Sequence, residues 1–200
     1  MNEKFFDLKK EKQDRIINAA LKVFAENGYK RASTDEIVKE AGISKGLLFH
    51  YFISKQGLYE FLFDYSAKYM MLEQSMLATN KGTDYFEIWL QLLGVRAQVM
   101  KNYPYMQLFL TNSVLEQGAE LSVDLFDKIA AFAEYSQSFF VQVDDSLFVE
   151  PKAAPKVKKM TELTINGLLK EQFNEEVFDA EKYYKLISDY LQTLKKLSYR

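Results

Sequence analysis

Two hundred residues at 48% hydrophobic content are enough for one or two compact cores. The absence of cysteine excludes disulfides and thiolate chemistry, and a net charge of −2 excludes a general polyanion coat. Charge is uneven all the same: residues 1–60 carry 11 Lys and Arg against 9 Asp and Glu, and the remainder 15 against 19, a pattern that fits a small basic head on an acidic body.

Met1–Leu8 lacks the sustained apolar run of a signal peptide, and no stretch approaches the ~20 apolar residues of a membrane span, so the expectation is a soluble, cytoplasmic protein. Lys9, Lys10, Lys12 and Arg15 are interleaved with Glu3, Asp7, Glu11 and Asp14. They read as a solvated, frayed terminus, the other reading being contact with a nucleic-acid backbone or minor groove.

Ser33 to Leu58 is the informative stretch. Ser33 and Glu36 stand in the S/T-x-x-E relation of a capping box, which starts a helix at about Thr34. Ile37 and Ala41 give it a small inner face, and Gly42 supplies a left-handed residue to end it. Ile43 plugs the angle, and Ser44 caps a second helix from about Lys45 to Phe52. Leu48 and Phe52 turn inward, leaving Gly46, His50 and Ile53 opposite, with Lys45, Phe49 and Tyr51 flanking. Such an outer face suits a helix entering a major groove. Gly46 weakens a short helix by roughly 1 kcal/mol relative to Ala, and close approach to a ligand surface is one compensation. Ser54 caps a third helix beginning at Lys55. Lys45 and Lys55 therefore both stand at positive helix ends, where a bound phosphate would relieve the repulsion.

This segment resembles the DNA-binding domain of the tetracycline-repressor (TetR) family of bacterial transcription regulators over about residues 9–60. The resemblance implies a first helix Gln13 to Asn27 closed by Gly28 and Tyr29, and it makes Leu48 to Phe52 similar to the family's recognition helix, with Ser54 and Lys55 opening its fourth. It implies base-edge or groove contacts from Lys45, Gly46 and His50, and phosphate contacts from Thr34, Phe49 or Tyr51, and Lys55. Two departures stand out: Gln56 and Gly57 replace the acidic residues common after the lysine, and Asp35 lies near the expected phosphate path.

Beyond the head, Leu58, Leu62, Tyr65, Tyr69, Leu72 and Met76 form one apolar stripe on a long fourth helix. Asn80-Lys81-Gly82 breaks the chain, and Thr83 caps a helix bearing Phe86, Trp89 or Leu90, Leu93, Ala97 and Met100. Pro104 starts a short segment through Leu110, Gln117-Gly118 breaks again, and Ser122 to Phe139 follows as another long helix. Asp144 to Pro155 reads as a loop, and helices of about Pro155 to Phe173 and Asp179 to Leu197 close the chain. The expected fold is all-α with about nine helices: a three-helix head, residues 1–57, on a helical ligand-binding and dimerisation body, residues 58–200.

Val157, Met160, Thr164, Gly167 and Leu168 on one closing helix, with Tyr183, Ile187, Tyr190 and Leu194 on the other, suit a four-helix interface between two subunits. A two-fold operator with half-sites roughly 34 Å apart needs such a dimer; the other reading packs these stripes within one subunit. The resemblance also implies a small-molecule site in the body. Its candidate lining is Trp89, Tyr105, Met106, Phe109, Phe132, Tyr135 and Phe139, residues that serve equally well as core. Arg96, Asn112, Glu116 and Gln117 lie close to these runs, and any of them buried beside a cavity needs a partner that a ligand can supply.

His50 is the single histidine, and no Gly-rich phosphate loop or paired-histidine metal signature is present, so no enzyme, metal or cofactor is expected. The reading is a homodimeric, sequence-specific repressor whose partners are double-stranded operator DNA, a second copy of the chain and a partly apolar effector. The alternatives are an architectural DNA-binding protein without an effector, and a regulator that needs its ligand in order to bind.

Overall fold

The computed structural model of the chain describes residues 3–78, 82–114, 116, 121–173 and 178–200. The breaks expected at Asn80-Lys81 and Gln117-Gly118 lie outside the described residues. Among those described there are nine α-helices: α1 Lys10–Arg31, α2 Thr34–Ala41, α3 Lys45–Phe52, α4 Lys55–Ala78, α5 Tyr85–Asn102, α6 Met106–Ser113, α7 Val123–Ser138, α8 Ala154–Gln172 and α9 Ala180–Ser198. No strand accompanies them beyond an isolated bridge, and no helix is long and apolar enough to cross a membrane.

The chain forms two compact units, Met1–Met70 with Tyr103–Ala133, and Met71–Asn102 with Glu134–Arg200. Packing thus groups the three head helices with most of α4, with α6 and with most of α7, whereas the motif itself ends near residue 57.

In the first unit α1 is the central element. Ile16, Ile17, Ala20, Leu21 and Phe24 are buried on it at helical spacing, and it packs against both α2 and α6. Its helical path breaks at Gly28 (φ 69°, ψ 170°), where the sequence places the end of the first helix, and Tyr29 to Arg31 continue beyond the kink. The basic terminus is not frayed. Glu3–Phe5 forms a 3-10 turn that buries Phe5 completely among Tyr51, Phe52 and Phe61. Arg15 Nε donates to Ala41 O at 2.8 Å, and Lys10 Nζ donates to Tyr103 Oη at 2.8 Å. Two of the four basic residues read as a solvated terminus therefore serve the fold.

In the second unit α5 packs on α9 and α9 on α8. Asp84 rather than Thr83 caps α5, its Oδ1 accepting the amides of Phe86 and Glu87. In the first unit, α6 starts at Met106, two residues after Pro104, which lies in the preceding turn. Asp144 to Pro155 is better ordered than its two prolines suggest. It contains two 3-10 turns and a buried Phe148 held between Phe86 and Tyr199, while Val149 N–H donates to Ser198 O and Arg200 N–H to Leu147 O. An apolar anchor and two backbone bonds, neither of which has a periodic signature, hold this segment.

The stripe on α4 holds only in part. Leu58 and Leu62 are buried, but Leu72 is 69% and Met76 81% exposed, and Gln74 takes the buried position near the helix end. Spacing identifies a face of a helix and says nothing of what lies opposite it.

Candidate nucleic-acid interface

The turn between α2 and α3 follows from its residues. Ser33 Oγ accepts the Asp35 amide at 3.2 Å, an N-cap one residue tighter than the capping box expected with Glu36. Ile37 and Ala41 are fully buried, and Gly42 ends α2 in the left-handed region (φ 62°, ψ 43°) as expected. Ser44 Oγ then accepts the Leu47 amide at 3.1 Å and starts α3. Leu48, Tyr51 and Phe52 face inward, so the orientation of α3 is fixed by a buried aromatic floor that includes Phe5.

Opposite that floor Lys45, Gly46 and His50 are exposed together. A Cβ at Gly46 would meet nothing within 4 Å, so this glycine answers no packing demand of its own chain. Thr34 and Phe49 are half-buried at the edges of the same surface. Tyr51 is different: it is 7% exposed and its ring stacks edge-on against Phe5, which makes it core, and of the Phe49–Tyr51 alternative Phe49 is the more accessible side chain. Lys45 Nζ lies 2.8 and 3.0 Å from the two carboxylate oxygens of Asp35. The carboxylate suspected of repelling phosphate is thus matched by the lysine expected to bind it.

The junction from α3 to α4 is strained. Ile53 has φ 66° and ψ −47°, and the Ser54 amide donates to Phe52 O at 2.7 Å, the bond of a φ-positive γ-turn. Gly57 makes room for it, because a Cβ there would stand 2.3 Å from Phe52 O. The departure from the acidic family pattern at this position therefore has a steric cause. Lys55 is half-buried, with Nζ 3.2 Å from Lys30 O and 4.8 Å from the centre of the Tyr29 ring. Glu116 Oε1 accepts the Tyr29 amide at 2.7 Å, and Asn112 donates to Ala25 O at 2.9 Å, so α6 and the residue beyond it clamp the end of α1. Phe5 is not among the expected residues, although Phe5-Phe6 beside the basic run is visible in the sequence; Arg15, Ile53 and Glu116 are named there, but in other roles than these.

The seven aromatic and Met residues proposed to line one pocket are divided between the two units. Met106 and Phe109 are sealed in the core of the first unit with Phe24 and Tyr59, and Phe132 meets Phe63 there. Tyr105 is half-buried in the same unit, where burial and then a hydrogen bond with Glu26 push its phenol up to about 12. Trp89, Tyr135 and Phe139 belong to the second unit: Trp89 packs on Phe140, and Tyr135 Oη donates to Met71 O. Two grooves in that unit have other linings. One of about 560 Å³ lies along Leu90, Gly94, Gln98 and Tyr184 with the Lys101–Glu181 ion pair, and one of about 860 Å³ follows the polar side of α9.

The residues expected at a dimer interface divide. Leu168, Tyr183 and Ile187 are buried within the subunit, because α8 and α9 use that face on each other and on α5. Met160, Gly167 and Tyr190 are exposed, with Val157, Thr164 and Leu194 half-buried. Leu197, which continues the spacing of Tyr190 and Leu194, is 77% exposed, and Leu163, not singled out by its spacing, is 59% exposed.

Residues 16–62 match the sequence pattern described as bacterial regulatory proteins, tetR family. Over 49 residues, 24% of this chain and 17% of the other, the chain is 53% identical to the uncharacterized HTH-type transcriptional regulator YuxN of Bacillus subtilis (strain 168). Over 67 residues it is 36% identical to the biofilm operon icaADBC HTH-type negative transcriptional regulator IcaR of Staphylococcus aureus (strain Newman), 32% of this chain and 36% of that one. The matches thus span well under two thirds of either relative. A TetR family transcriptional regulator from Chloroflexus aurantiacus J-10-fl shares the fold over 100% of this chain and 98% of its own, with a TM-score of 0.62 at 23% identity. The likeness to the tetR family of bacterial regulatory proteins thus rests on the head, residues 16–62, and extends over the whole chain as a shared fold.

Proposed function

We propose that the chain is a transcriptional regulator that binds a palindromic operator as a homodimer, represses the genes beside it, and is released by a small-molecule effector. The observation that carries the reading is the outer face of α3, where Lys45, Gly46 and His50 stand exposed together on a helix whose inner face is locked by Leu48, Tyr51 and Phe52. Gly46 leaves open space for a base edge or sugar to approach the backbone, and His50 is placed to read a base edge. Thr34 and Phe49 flank that face, and Lys55 stands at the first residue of α4 for a phosphate. Negative regulation is what the name of the relative IcaR states of that protein.

A second apolar stripe on α8 supports the dimer. Val157, Met160, Thr164 and Gly167 recur at three- and four-residue spacing on a face other than that of Thr161, Ile165 and Leu168, which is buried within the subunit. With Tyr190, Leu194 and Leu197 of α9 it forms an exposed apolar surface suited to a four-helix contact. Effector release requires a ligand with different affinity for two states of the protein; couplings of ~1 to 3 kcal/mol correspond to roughly 5- to 150-fold.

Substitution on DNA tests the reading. His50→Ala lowers discrimination between operator and random duplex with little effect on the latter, whereas Lys55→Ala weakens both and reduces the salt slope by roughly one contact. If both variants bind as the wild type does, α3 is not the reading helix.

A further inference from the structure

Arg96 of α5 carries a closed-off Nε that has no acceptor among the described residues. The guanidinium lies 5.3 Å from the centre of the Trp89 ring, two turns earlier on the same helix face. Tyr183 of α9 is 1% exposed, and its hydroxyl is likewise buried without a partner. Burial pushes Arg96 down to about 10 and Tyr183 up to about 12; each acts electrostatically on the other, and no carboxylate of the described residues acts on either. Several carboxylates of the same unit are already committed to lysines: Asp84 and Glu87 to Lys195, Asp145 to Lys158, and Glu181 to Lys101.

A half-buried guanidinium whose closed-off Nε has no acceptor among the described residues, beside a buried hydroxyl with no acceptor, is costly to the folded chain. An anion from outside removes both costs at once. We infer that Arg96, Tyr183 and Trp89 form the anchoring end of the effector site, and that the effector is a monocarboxylate on an apolar body. The guanidinium fork takes a carboxylate through two parallel N–H···O bonds, and the phenol donates a third. A single negative charge matches the single cation, whereas a phosphate dianion would leave one charge uncompensated. The Trp89 ring continues into Phe140 at 5.0 Å, so apolar surface adjoins the cation.

The inference rests on the ligand-responsive reading above, and its test is independent of DNA. Trp89 is the only tryptophan of the chain and lies against the proposed anchor, so its emission reports occupancy. The full chain is titrated with decanoate and cyclohexanecarboxylate, each paired with its alcohol, 1-decanol or cyclohexylmethanol. At least one acid should saturate the signal about tenfold or more tighter than its alcohol. Arg96→Met should abolish that preference while melting at the same or a higher temperature without acid, and Tyr183→Phe should weaken the acid several-fold. Equal binding of acid and alcohol, no saturable response to either acid, or an Arg96→Met variant that binds acid as the wild type does would each overturn the inference. So would an Arg96→Met variant that melts markedly lower without acid, since the arginine would then serve the fold. Operator binding measured in parallel separates the two readings: its loss sinks the regulator, while operator binding without acid binding sinks only the carboxylate.

Discussion

Ile53 holds φ 66° with its side chain 76% exposed, at the point where α3 hands over to α4. A β-branched residue gains nothing locally from that backbone, and the left-handed side of φ costs roughly 1–2 kcal/mol for a residue with a Cβ. Ile53→Gly is therefore expected to stabilise the fold by up to about 1 kcal/mol, read as a higher urea midpoint at unchanged slope, with helix content unchanged. Gly57→Ala acts in the opposite sense: its Cβ meets the Phe52 carbonyl, so the junction must shift, and both stability and duplex affinity should fall. The Asp35–Lys45 pair is solvent-exposed and adds little to stability, but it occupies the cation that the proposed interface needs. Asp35→Asn should leave the melting temperature nearly unchanged and strengthen binding to random duplex, with a steeper salt dependence.

Burial also sets a pH limit at this scale. Tyr59, hydrogen-bonded to Ser113 Oγ at 3.0 Å, is pushed up to about 12 by burial, as is Tyr183. The folded chain holds these protons more tightly than the unfolded chain, whose phenols titrate near 10. Their contribution is complete below pH 10 and is lost between about 10 and 12. Thermal melts should fall steeply over that window, and Tyr59→Phe should flatten the fall.

Helix ends are where sequence and structure agree most closely. Ser33, Ser44, Gly42 and Asp179 act at the starts and stops that their residue types imply, because each solves a local problem of unpaired amides or carbonyls. Asp179 accepts the amides of Lys182 and Glu181 from the first turn of α9, and those bonds hold its carboxyl below the usual range. Its capping contribution is present above the unfolded pKa and is lost as pH falls through the lowered folded value. Asp179→Ala should lower the melting temperature at pH 7, and the difference from wild type should shrink at pH 3. Burial was less legible. Leu72 and Met76 continue the stripe of Leu58 and Leu62 in perfect spacing and yet are exposed, while Tyr183 and Ile187, read as interface, are core. Periodicity marks apolar faces, but only the neighbouring elements decide whether a face is covered by the same chain. Tertiary pairings such as Phe5 under α3 and Glu116 at the Tyr29 amide are not written in the spacing of either partner.

For the molecule as a whole, the outer face of α8 and α9 predicts the assembly. Leu163→Glu combined with Tyr190→Glu should convert a dimer to a monomer by analytical ultracentrifugation. Helix content should persist, because both side chains are more than a third exposed in the single chain. Operator affinity should fall far more than affinity for a half-site, since only the paired heads gain from spacing along the duplex. The central claim, sequence-specific reading of DNA by α3, is tested most directly by capturing sheared genomic DNA from the source organism with purified protein and its His50→Ala variant at near-physiological salt. The account predicts that the wild type retains a short palindrome at a few promoters and that the variant loses this selectivity. Retention spread evenly over the genome, no retention, or selectivity unchanged in the variant would contradict it.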